Sequence, residues 1–101
     1  HHQLYKLTCE DYQALLARSG ECCEICGRHA STQYDGKLVI DHAHRQASGY
    51  AAVRGLLCKT CNRAMGRYDS GFPARHVNVE MSKADAYCVN AWYLRTAVTA
   101  R

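Results

Sequence analysis

Cys23-Glu24-Ile25-Cys26, Asp41-His42-Ala43-His44 and Cys58-Lys59-Thr60-Cys61-Asn62 decide how this chain folds. Each Cys-x-x-Cys pair presents two thiolates to one metal ion, and two such pairs complete a tetrahedral Zn²⁺ site with no open position. Such a site is structural. The chemistry then falls to what the zinc holds together, and the candidates are Asp41, His42, His44 and Asn62. Cys22-x-x-x-Cys26 is an alternative spacing for the first pair. Matching the second pair favours Cys23, Cys26, Cys58 and Cys61 as the ligands.

Working outward, Gly27 supplies the tight turn a backbone needs around a metal. Asp35-Gly36 is a turn signal, and Lys37-Leu38-Val39-Ile40 reads as a short buried strand that delivers Asp41 and His42 at its end. Ser48-Gly49 marks a loop tip, and Val53-Arg54-Gly55-Leu56-Leu57 reads as the antiparallel return strand. Thr60 is placed to cap a helix over residues 61–68. Strand, strand, helix, with a knuckle at each edge, is the architecture of residues 23–68.

The flanks read as helices. Thr8 and Asp11 form a capping box, Tyr12, Leu15 and Leu16 an apolar stripe, and Ser19-Gly20 a stop. Residues 69–80 read as irregular. Ser82 and Asp85 form a second capping box, opening a helix whose stripe is Ala84, Tyr87, Cys88, Ala91, Leu94 and Val98, with Trp92 alongside. That stripe is either core or the seam of a homodimer. The expectation is one α+β domain over residues 1–101, with His1-His2 set aside as a tag remnant.

A chain of 101 residues buries limited apolar surface, so a metal staple suits it energetically. Seven cysteines is an odd number for a disulfide scaffold, and four at metal spacing point to a reducing, cytoplasmic compartment. Cys9, Cys22 and Cys88 are then surplus to the metal. No apolar run reaches membrane-span length, and no signal-peptide pattern precedes the first helix. The formal charge of +4 counts every thiol as neutral. A zinc ion on four thiolates would bring it to about +2, so overall basicity says little about a partner. Local charge says more. Between His42 and Tyr68 lie Arg45, Arg54, Lys59, Arg63 and Arg67 and no acid, a cationic stretch fit for a phosphate-bearing partner.

Each residue type in the central cluster fits phosphodiester hydrolysis. Asp41 offers Mg²⁺ a hard carboxylate oxygen and Asn62 a neutral carbonyl oxygen. His42 can take a proton from water near neutral pH. A single cation would polarise the scissile phosphate and stabilise the leaving oxygen. The bland alternatives are a strand-end histidine held by hydrogen bonds and an asparagine that favours a helix start.

Three segments carry a resemblance: Cys-Glu-Ile-Cys-Gly, Leu-Val-Ile-Asp-His-Ala-His, and Val-Arg-Gly-Leu-Leu-Cys-Lys-Thr-Cys-Asn-Arg-Ala-Met-Gly, together covering residues 23–66. In combination they resemble the recombination endonuclease VII family of the HNH (ββα-metal) nucleases. The resemblance implies a Mg²⁺-dependent DNA endonuclease, with Mn²⁺ as a substitute cation, leaving 5′-phosphate and 3′-hydroxyl ends. It implies Asp41 and Asn62 as catalytic metal ligands, His42 as general base, His44 as an accessory residue and the four cysteines as zinc ligands. One departure stands out: the segment from His44 to Val53 is longer than the family usually shows. The competing reading is a zinc-stapled module that binds nucleic acid without cutting it. Asp41 argues against that, since an acid sits poorly where phosphate should bind.

Overall fold

The computed structural model describes residues 8–43 and 53–95. At its centre is a two-stranded antiparallel sheet, β1 (Val39–His42) and β2 (Val53–Leu57). Val39 faces Leu57, Ile40 faces Leu56 and Asp41 faces Gly55, with an irregularity between Asp41 and His42. The ladder starts two residues later than Lys37. Lys37 N–H donates to Asp35 Oδ1 at 3.1 Å, which keeps that stretch in the turn.

Every residue of β2 is buried. Helix α1 (Cys9–Ser19) and the short α4 (Trp92–Arg95) pack on β2, and α2 (Lys59–Asp69) packs on both strands. The core they enclose contains Leu15, Ile40, Val53, Leu56, Leu57, Met65, Ala84, Tyr87 and Trp92. Around it the chain forms the α+β architecture expected from the sequence.

The start of α1 follows its sequence signals closely. Thr8 Oγ1 accepts from Asp11 N–H at 3.0 Å, and Asp11 Oδ2 accepts from Thr8 N–H at 3.1 Å. Gly20 closes the helix at φ 64°, the left-handed conformation that glycine adopts without penalty. By contrast, α2 starts at Lys59 with Cys58 rather than Thr60 as its cap. Cys58 Sγ accepts from Cys61 N–H at 3.4 Å, so a sulfur does the work expected of the threonine hydroxyl.

The C-terminal helix also departs from expectation. Helix α3 spans Met81–Val89 and begins at Glu80 with no side-chain cap, not at a Ser82 box. Asp85 is engaged elsewhere, accepting a hydrogen bond from Tyr68 on α2. At Asn90 the helix breaks before α4. Asn90 Nδ2 donates back to Ala86 O at 3.0 Å, and its carbonyl accepts from Arg18 Nη2 at 2.5 Å. Both bonds compete with continued helix. The apolar stripe still goes inward at Ala84, Tyr87, Ala91 and Trp92, while Val89 and Leu94 stay exposed. Val98 lies outside the described residues. No helix among the described residues is long and apolar enough to cross a membrane.

Candidate functional site

The four-cysteine cluster assembles from two backbone knuckles. Gly27 N–H donates to Cys23 O at 3.0 Å and Cys23 N–H to Arg28 O at 2.8 Å, curling residues 23–28 into the first. Gly27 takes φ 81° to make the turn. The second knuckle is the start of α2, where Asn62 N–H donates to Cys58 O at 2.9 Å. Gln33 Oε1 ties the two halves by accepting from Lys59 N–H at 3.0 Å.

The ligand sulfurs of Cys23, Cys26, Cys58 and Cys61 all lie within 4.8 Å of one another. A tetrahedral zinc with Zn–S of about 2.3 Å requires S···S of about 3.8 Å. The Cys26–Cys58 separation of 3.6 Å is close to that. None of the cysteines is in a disulfide. Burial and the neighbouring Cys23 push the Cys61 thiol well above the ordinary range. A dication among the sulfurs reverses that cost by holding them as thiolates. The donor set and its spacing therefore fit structural zinc. Cys22 is outside the cluster, its Sγ turned to Gly20 O at 3.4 Å, so the Cys22 alternative falls away. Cys9 is exposed, and Cys88 Sγ lies 3.6 Å from Arg54 Nη1.

Behind the cysteine cluster, Glu24 fastens the first knuckle to the sheet. Its Oε2 accepts from Leu56 N–H at 2.9 Å and its Oε1 from Arg18 Nη2 at 2.9 Å. Gly55 makes room for it: a Cβ there would stand 2.5 Å from Glu24 Oε2.

Asp41 is completely buried. Its Oδ2 accepts from Arg54 Nε at 2.7 Å and from Tyr87 Oη at 2.8 Å, and its Oδ1 from Arg54 Nη2 at 3.3 Å. The far edge of the same guanidinium binds Asp69, at 3.0 Å from Nη1 and 2.9 Å from Nη2. One cation thus serves two carboxylates. Burial pushes the Asp41 carboxyl up, with Asp69 adding to the rise, against the pull of Arg54 and Tyr87. Arg54 stays charged, held by its two partners against its own burial.

This placement corrects one sequence expectation. Arg54, expected to meet phosphate, has a side chain only 4% exposed and both edges spent on carboxylates. An arginine on an all-buried strand needs buried acids, and that was the available signal for Asp69. Tyr87 read as part of an apolar stripe and Glu24 had no assigned role; neither position carries a sequence signal of what it does.

The remaining residues divide. His42 and Asn62 are both half-buried, at the end of β1 and in the first turn of α2. Arg63 is exposed and Arg67 half-buried further along α2. Lys59 Nζ pairs with Asp35 at 2.8 Å and lies 4.7 Å over the Tyr34 ring. His44 and Arg45 lie outside the described residues. As chemistry, a carboxylate and an amide oxygen suit a hard cation. As geometry, Oδ1 carries the longer of the two Arg54 bonds to Asp41, at 3.3 Å, and burial closes Asp41 to solvent, so a cation reaches it only if this shell opens.

Comparison with known proteins agrees with the cysteine framework. The chain is 37% identical over 59 residues to the "Gene 59 protein" of Mycobacterium phage D29, covering 58% of this chain and 32% of that protein. The chain thus spans about a third of the length of this curated relative. No solved structure matches it. The profile of the recombination endonuclease VII family matches residues 1–94, and the chain belongs to that family.

Proposed function

We propose that the protein is a Mg²⁺-dependent DNA endonuclease of the HNH type that hydrolyses phosphodiester bonds. The observation that carries this is the family membership over residues 1–94, with the four-cysteine cluster bracketing Asp41 and His42 and Asn62 directly following Cys61. In this reading residues 1–101 are one domain, and residues 23–68 are its zinc-stapled core.

Asp41 and Asn62 hold the catalytic cation, for which Mn²⁺ can substitute. The cation supplies charge stabilisation at the phosphate and the leaving oxygen. His42, at the end of β1, takes the proton from the attacking water, a role suited to a neutral imidazole near pH 7. His44 orders the site or meets phosphate. Arg45, Lys59, Arg63 and Arg67 supply the cationic surface for the backbone of DNA. The compartment is the reducing interior in which thiolate ligands persist. A homodimer would use exposed Val89 and Leu94.

One observation favours a second reading, a zinc-stapled module that binds nucleic acid without cutting it. Asp41 is covered and ion-paired rather than open to a cation. A cleavage assay separates the two. Junction, nicked, duplex and single-stranded DNA are incubated with the zinc-loaded protein, with Mg²⁺ and with EDTA. The nuclease reading expects nicking with Mg²⁺ and none with EDTA, while zinc content stays constant. Binding without cleavage on any substrate would establish the module instead.

A further inference from the structure

We propose a nucleotide subsite at the far end of α2, formed by Arg67, Phe72, Arg75, His76 and Asn78. It holds one unpaired nucleotide of a DNA strand, with phosphate between Arg67 and Arg75 and the base stacked on Phe72. The nuclease reading enters only in naming the polymer; the pocket itself is drawn from the structure.

These five residues line a cleft of about 340 Å³. That is within the range of about 300–1,000 Å³ typical of small-ligand clefts. The segment that builds it is tied down. Phe72 N–H donates to Arg67 O at 3.0 Å, His76 N–H to Pro73 O at 2.8 Å and Val77 N–H to Ala74 O at 3.1 Å. Val77 is fully buried, and the half-buried Val79 packs the segment against the core. Arg67 Nη1 reaches the His76 carbonyl at 3.5 Å, closing one wall. Asn78 turns the chain in the left-handed region at φ 72°.

Within this anchored segment Phe72 stays 45% exposed. An exposed aromatic ring beside arginines is a stacking platform with a phosphate clamp, the combination that holds single-stranded nucleic acid. The charge leans positive as well, with Glu80 as the first acid after the segment. Residues 70–79 contain no acid, and Asp69, just before them, is committed to Arg54. The cleft lies further along the helix that carries Asn62. Arg67 follows Asn62 by five residues on the same helix. That is about 7.5 Å along the axis, or roughly two nucleotides of rise at about 3.4 Å each. Five residues also turn about 140° around the axis, so a strand cut near Asn62 would have to curve around α2 to enter the cleft.

The test is binding of labelled short oligonucleotides to the zinc-loaded full chain without Mg²⁺, followed by fluorescence anisotropy across a salt series. Variants are Phe72→Ala, Phe72→Trp and Arg75→Ala, with zinc content and circular dichroism checked for each. Phe72→Ala should weaken single-stranded DNA by about 5- to 100-fold and duplex far less. Phe72→Trp should bind single strands as the parent does. Arg75→Ala should weaken both forms and lower the salt slope by about one unit. Parent affinity and salt slope in both alanine variants would overturn the subsite, even if the parent cuts DNA. Weakened binding in a parent that never cuts would leave the subsite standing and remove only the nuclease reading.

Discussion

Arg54 Nε donates to Asp41 Oδ2 at 2.7 Å across the β1–β2 hairpin, in a site that admits almost no water. The same guanidinium binds Asp69 at the end of α2, and Tyr87 of α3 completes the shell around Asp41. Three elements are thereby locked to one cation. Arg54→Ala should cost about 3–5 kcal/mol, because it leaves two acids uncompensated in the interior. Urea unfolding of the zinc-loaded protein measures this. A loss below about 1 kcal/mol, with weaker DNA binding instead, would return Arg54 to the surface role its sequence suggested.

Asp41→Asn should preserve the fold while abolishing the proposed cleavage. The amide keeps an acceptor for Arg54 and removes one of the two charges that share it. Burial raises the Asp41 carboxyl in the native state, so that state binds more protons than the unfolded chain between the two pKa values. Stability from this group is therefore lost as pH rises from the ordinary carboxylate range through the raised native value. Asp41→Asn lacks that loss, so its stability relative to the parent should improve with rising pH in that window. Paired denaturation curves read the difference. A variant that loses ground as pH rises would mean that the pair with Arg54 outweighs burial.

Gly55→Ala should destabilise by about 1–3 kcal/mol, the usual cost of overpacking a filled site. The added methyl would meet Glu24 Oε2, on a carboxylate that holds both Leu56 N–H and Arg18. If that clash is the cause, the substitution should cost less in a Glu24→Ala background. An unchanged cost in the double-mutant cycle would place the strain elsewhere.

Much of this was legible in the sequence, and the misses share a cause. Cysteine spacing gave the four-cysteine cluster, the Thr8 and Asp11 pair gave the start of α1, and Val53, Leu56 and Leu57 gave β2. These signals are local. Arg54 was misread as surface because its partners Asp41 and Asp69 lie 13 and 15 residues away, beyond any local pattern. Likewise, the break at Asn90 depends on Arg18, 72 residues distant. Periodicity in residues 84–98 carried no trace of it.

Cys58 serves twice, as a member of the four-cysteine cluster and as the cap of α2. Cys58→Ala should therefore lose zinc and unfold, whereas Cys22→Ser should keep one zinc per chain and the parent melting curve. Metal analysis beside thermal melts decides it. A folded, zinc-bearing Cys58→Ala protein would remove the staple from the account.

His42 tests the proposed chemistry most directly. It sits half-buried at the end of β1, immediately after Asp41 and where the ladder becomes irregular. That position puts an imidazole at the margin of the sealed Arg54 network, on a backbone that the sheet holds. As a positioned general base it should contribute about 10²–10⁴-fold in rate. His42→Ala should lower turnover by that factor and leave zinc content, melting curve and DNA affinity close to the parent. The salt dependence of binding should also be unchanged, because the phosphate contacts are assigned to Arg45, Lys59, Arg63 and Arg67. A histidine held only for structure predicts the opposite pattern: a destabilised protein whose folded fraction still cuts at the parent rate. Single-turnover cleavage at saturating protein, read beside a urea curve, separates the two outcomes. Parent-rate cleavage by a stable His42→Ala protein would leave the proposed hydrolysis without its base.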